Sequence, residues 1–229
     1  MNIIRTSFAS AMIVALPLLF VTYSHAGVVL NRAIVMFDDP SQTRQDVSVA
    51  NDSNEDRLFV SVDPFLVAQP GTDEQALIPL DPDGALELLV TPNKLMIEPS
   101  GSAIVRILNM ADPGAEEKYY RVNFTPMSKP PEYEDKDENE EATGMQVTIA
   151  LAYQALVIVP PLDPEAIVMF NRSGKELTFT NPGNSYYLLR DGQQCDPQNA
   201  DKCSDLPSKR VYPGNEYSVE LPFDSPAQY

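Results

Sequence analysis

Histidine is nearly missing from this chain. Its one copy, His25, lies at the end of a leader-like segment. Residues 1–26 carry a single early cation, Arg5, then the apolar run 11–21 and the small-residue ending Ser24-His25-Ala26, the order of a secretory signal cleaved after Ala26. The run is too short for a membrane anchor, which needs about 18 or more apolar residues. Cleavage would remove the only imidazole. Ser-His-Asp and Cys-His nucleophile activation, and zinc sites that use histidine, are then excluded.

Positive charge is also scarce, with 16 Lys and Arg against 33 Asp and Glu and a net charge of −17. Nucleic-acid binding depends on neutralising phosphates and is disfavoured by that balance. There are two cysteines, Cys195 and Cys203, and in an exported chain their spacing predicts a local disulfide. The nucleotide-binding patterns GxxxxGK[ST] and GxGxxG are both absent. No metal or other cofactor is expected, and no second span follows the leader, so membrane insertion is not expected either. Carboxylate-pair hydrolysis stays formally open, because acids are plentiful, but most stand in polar loops and no pair is marked out.

What the chain does have is proline, 21 in all, ten tyrosines and few long helical patterns, which favours an all-β fold. Residues 28–37 (VVLNRAIVMF) read as an apolar strand interrupted at Asn31 and Arg32. Strands follow at 46–51, 57–65, 86–91, 95–97, 103–108 and 118–125, separated by turns at roughly ten-residue intervals, the rhythm of a β-sandwich. Residues 68–84 are rich in Pro, Asp and Gly and read as a loop, in which Asp81-Pro82-Asp83-Gly84 is a turn rather than a calcium site. Residues 132–141 hold seven acids and one lysine. Such a run cannot bury enough apolar surface to order itself; it lacks the EF-hand glycine and closing Glu, and reads as a solvated loop.

The stretch 144–161 (GMQVTIALAYQALVIVPP) follows that loop. Met145, Val147, Ile149 and Leu151 alternate with smaller or polar residues and form one apolar face, whereas 155–159 is apolar throughout, as in a strand buried on both sides. The second half is predicted to belong to the chain's own core and the first half to be an apolar ladder for another chain. Pro160-Pro161-Leu162-Asp163-Pro164 reads as a stiff hinge. Beyond it, strands at 166–170, 176–180, 185–189 and 216–221 predict a small second β unit, with the disulfide in a 191–207 loop to help hold it. The expected organisation is a signal at 1–26, a first domain at 27–160 and a smaller second domain at 161–229.

The ordered set LNRAIVMF, DVSVAN, RLFVSV, LLVTPNKLMIEP, VRIL, KYYRVNF and VTIALAYQALVIVPP resembles the periplasmic chaperones of the chaperone–usher pilus pathway. The Cys195–Cys203 loop and Tyr212-Pro213-Gly214 are similar to the second domain of that family's alternate, or alpha, branch. The resemblance implies two immunoglobulin-like β-sandwich domains in an L-shaped arrangement, located in the periplasm. It also implies a non-enzymatic role: binding pilus subunits by donating a strand, and passing them to an outer-membrane usher. The donor positions carried onto this chain are Val147, Ile149 and Leu151, with Met145 and Tyr153 as extensions. Self-association would be one way to cap that strand in the free protein.

The family's basic pair for the subunit's terminal carboxylate falls here on Ile34 and Leu156, neither of them basic. Arg32, two residues earlier on the same strand face, is the candidate replacement, with Arg121 and Arg106 as weaker ones. The alternative to a chaperone is a structural pilin or adhesin-like component. A pilin would be expected to lack one strand and to carry a free N-terminal extension, whereas here residue 28 already opens a strand.

Overall fold

A computed structural model describes residues 27–39, 41–80, 86–111, 114–127 and 151–229. All regular elements among them are β-strands. The apolar stretch at 28–37 splits into β1 (Val28–Leu30) and β2 (Ile34–Met36). The break has a local cause. The backbone amide of Asn31 donates to Ser48 O while the amide of Ser48 donates to the Asn31 side chain, and the chain then crosses to the facing sheet. β1 runs antiparallel to β3 (Arg44–Asn51), and β2 runs parallel to β10 (Tyr153–Val159).

One sheet has the order β1-β3-β8-β6, with β8 at Ser102–Asn109 and β6 at Leu88–Thr91. The other has the order β2-β10-β9-β4-β5, with β9 at Lys118–Met127, β4 at Leu58–Ala68 and β5 at Ala76–Pro79. A further strand, β7 (Lys94–Ile97), also pairs with β4. Alternate residues of these strands meet between the sheets: Val47, Val49, Val105, Ile107, Val60, Val62, Val122, Phe124 and Val157 are all buried in one cluster. The side chain of Asn51 is buried at the end of this core and donates to the carbonyls of Asp56, Ile97 and Glu98, so its polarity is matched.

The 68–84 stretch is not wholly a loop, because β5 forms within it. All four β5 residues are exposed, so the strand is held by backbone pairing to residues 65–68 of β4. Without a buried face it leaves no period-two signal in the sequence.

The second unit is a smaller sandwich. β11 (Met169–Ser173), β12 (Glu176–Thr180) and β17 (Glu216–Glu220) form one sheet. β13 (Tyr187–Leu189) pairs with β16 (Lys209–Val211), and β14 (Gln193–Asp196) lies between β15 (Asn199–Asp205) and β18 (Ala227–Gln228). Its core is Leu177, Phe179, Tyr187, Leu189, Leu206, Val211, Val219 and Leu221. The predicted 191–207 loop is instead the β14–β15 hairpin, in which Cys195 stands directly opposite Cys203 and is bonded to it. Its polar, mostly exposed strands hide it from a hydrophobicity reading.

The two units touch through a third cluster. Tyr212 packs edge-on against Tyr119 with ring centroids 4.7 Å apart, among buried Val67, Leu156 and Ile158. Asn215 donates to the carbonyl of Pro70, and the amide of Glu117 donates to Asn184 O. Gly71, at φ +77°, passes so close to Tyr212 that an added Cβ would lie 2.5 Å from its ring; only glycine fits there.

Candidate functional site: a strand end and the sheet face beside it

The site is built on β10. Its residues alternate between two apolar environments. Ala155, Val157 and Val159 enter the core of the first sandwich, whereas Leu156 and Ile158 join the cluster at the second unit. A segment buried on both faces should be a continuous apolar run, and 155–159 is one.

Leu151 and Tyr153 have the parity of Ala155 and Val157, yet they are 61% and 41% exposed. They lie where the core has ended. Tyr153 still pairs with Phe124 of β9, and Leu151 is bridged in parallel to Gly27. These two large side chains thus continue the core-facing row into solvent. The remaining ladder positions, Met145, Val147 and Ile149, lie outside the described residues, as does the acidic run 132–141.

The other face of this sheet, the one that carries Leu156 and Ile158, is also partly apolar and open at its edge. On β2, Val35 is buried while Ile34 and Met36 are 46% and 39% exposed. Register places Ile34 beside Leu156, and Leu156 beside Arg121 of β9. Arg121 in turn faces Phe65 of β4. Residues directly opposite in a sheet share a face. One row across the sheet therefore reads Ile34, Leu156, Arg121, Phe65.

Arg121 is half-buried in that row and, among the described residues, makes no hydrogen bond or ion pair. Five donors on a cation among apolar neighbours can receive a carboxylate in bidentate fashion. Arg32, by contrast, is an exposed residue at the rim, and its guanidinium donates to Gln45 Oε1 at 3.2 Å. Arg106 stands on β8 in the other sheet, beside Asp46 of β3, and is engaged with it at 3.1 Å. The sequence puts Arg121 on the same face as Tyr119, but only register reveals that it neighbours Leu156.

At the wall of the site, Glu117 accepts hydrogen bonds from the hydroxyl of Tyr119 and the amide of Tyr186. Burial pushes its carboxyl above the ordinary range, against the pull of those two donors and of Arg210. Burial and the adjacent Glu117 together push the Tyr119 phenol far up, so the hydroxyl stays a donor. Among the described residues no group of three or more His, Cys, Asp or Glu converges as a metal site would require.

No protein-family model matches the chain. A curated relative, a CS1 fimbrial protein of Escherichia coli named as one of the fimbrial subunits, is 27% identical over 170 residues, which are 72% of this chain and 70% of the relative. The solved class 5 fimbriae chaperone CfaA superposes with a TM-score of 0.59 at 22% identity, over 83% of this chain and 84% of that one. The SafB chaperone, solved in complex with the SafA pilin of Salmonella enterica, gives a TM-score of 0.57 at 18% identity, over 88% of this chain and 86% of its own. The superpositions extend over both sandwiches. The chain has the two-sandwich, immunoglobulin-like fold of the fimbrial chaperones.

Proposed function

We propose that this protein is a periplasmic chaperone for pilus subunits, acting without catalysis. The observation that carries the reading is the change of role along one strand. Val157 and its neighbours close the chain's own core, while Leu151 and Tyr153 carry the same row of side chains into solvent. A partner lacking a strand would pair with the backbone of this segment and take Met145, Val147, Ile149, Leu151 and Tyr153 into its groove. Each fully buried apolar side chain contributes about 1.5–3 kcal/mol, so a few of them would dominate affinity. An outer-membrane usher is the proposed recipient of the bound pilin.

Within this reading, 1–26 is a cleaved export signal, 27–160 is the donor domain and 161–229 is the smaller second domain. Arg121 is the proposed seat for a pilin carboxylate, and Arg32 a second cation at the rim. The test is co-expression in a bacterial periplasm with a pilin encoded nearby, comparing the wild type with Ile149→Asp plus Leu151→Asp. The wild type should recover soluble pilin and the folded double variant should not; equal recovery would refute the ladder's role.

The name of the curated relative, which is that of a fimbrial component, favours a second reading, in which this chain is itself a structural pilin. The two readings separate on gel filtration of the chain alone. A ladder of self-polymers belongs to a pilin, and a monomer or a small capped oligomer to a chaperone.

A further inference from the structure

A knot of polar groups ties the two units together beside their connection. Asn184, in the turn before β13, commits its whole side chain to it. The Nδ2 group donates to Ala115 O at 3.1 Å and to Asp163 O at 2.9 Å, and Oδ1 accepts the amide of Glu165 at 2.7 Å. Its main chain does the same work: the carbonyl accepts the amide of Glu117, and the amides of Asn184 and Ser185 both donate to Glu165 O. One asparagine thus joins the first unit, the connecting segment and the second unit.

Glu117 meets this knot from the first unit. Its two donors, the hydroxyl of Tyr119 in its own unit and the amide of Tyr186 in the other, converge on the same oxygen, Oε2. The second oxygen, Oε1, makes no hydrogen bond among the described residues. A proton can therefore sit on Oε1 while Oε2 keeps both donors.

The ionised form is the costly one, because the carboxylate is taken out of water at the contact. Arg210 faces it from β16, with its guanidinium stacked on the ring of Tyr186 at 4.6 Å, and among the described residues the two form no ion pair. The other titratable groups at the contact are the hydroxyls of Tyr119 and Tyr212, whereas Asp163 and Glu165 enter the knot through main-chain groups. Burial outweighs Arg210 and the two donors and holds the carboxyl above its ordinary value of 4.5. A group raised in this way favours the closed contact below that value, and the contribution is lost as pH climbs through the folded value.

We propose that Glu117 is a proton-operated clasp between the two units. With a proton on Oε1 the Glu117–Tyr186 bond closes and fixes the angle between them; with the carboxyl ionised the bond opens more readily, and the units swing about the Asn184 knot. The device acts on orientation and does not depend on what β10 binds.

The test uses the full mature chain and reads hydrogen exchange of the Tyr186 amide by NMR, corrected for the chemical rate at each pH. In the wild type, protection should rise about threefold or more between about pH 7.5 and about pH 5, while the amide of Val105, deep in the first core, does not follow. Glu117→Gln keeps a neutral acceptor and should show the acid-form protection at both pH values. Asn184→Ala should lower the protection of Tyr186 about fivefold or more at both. Residual dipolar couplings should give the two wild-type units one alignment tensor in acid and two at neutral pH. The proposal is overturned if Tyr186 protection ignores pH, if Glu117→Gln keeps the wild-type response, or if the units share one tensor throughout. It is equally overturned if Val105 follows Tyr186, because the proton would then act on the whole fold and not on the contact.

Discussion

At the level of single residues, the chain shows how polar groups are tolerated at buried positions. Asn181 is fully buried and its side chain donates to the carbonyls of Ser185 and Val211 while accepting from the amide of Gly183. Truncation leaves those backbone groups unmatched. Asn181→Ala is expected to lower stability by about 1–3 kcal/mol, read by chemical denaturation. Glu117 behaves differently, because burial raises its carboxyl. A carboxyl raised in the folded state stabilises that state at pH values below its unfolded value of 4.5, and the contribution is lost as pH climbs through the folded value. Glu117→Gln should therefore raise the melting midpoint at pH 7, with a gap that closes on acidification below the ordinary carboxyl value. A constant gap across that range would mean that the carboxyl is not held up by burial. Neither role is legible in sequence, since both residues are defined by partners distant along the chain.

At the level of the strand, the sequence is far more informative. The alternation in 46–51 and the continuous apolar run in 155–159 are direct records of one buried face and of two, and β3 and β10 fall where those patterns predict. β5 and the β14–β15 hairpin escape such a reading because their residues are exposed or polar, and backbone pairing leaves no mark on composition. For the same reason sequence assigns Arg121 a face but not a neighbour. β10 and its approach should differ sharply in their tolerance of truncation. Leu151→Ala removes an exposed side chain and should change stability by no more than about 0.5 kcal/mol. Val157→Ala, on the same face but with 0% exposure, should cost about 2 kcal/mol or more. Equal costs, measured by chemical denaturation, would mean that the first half of the strand is also part of the chain's own core.

At the level of the whole molecule, two sandwiches meet through Tyr212, Tyr119 and the Val67–Leu156–Ile158 cluster. The same strand, β10, thus serves the core of the first unit and the contact with the second, and at Tyr153 it runs out into solvent. Replacing Tyr212 by Ala should loosen the angle between the units, seen as a larger radius of gyration by small-angle X-ray scattering, while the melting of the first sandwich changes little. An unchanged radius would place the angle under the control of the Pro160-Pro161 segment instead.

If residues 145–153 donate a strand to a second polypeptide, their backbone amides must change partners when it binds. Hydrogen exchange of those amides, in the free chain and in the complex with a pilin, reads that change without relying on any substitution. Strand donation predicts fast exchange across 145–151 in the free monomer and strong protection of alternate amides in the complex. Protection that is the same in both states, or that appears only around Arg32 and the sheet face, would contradict it.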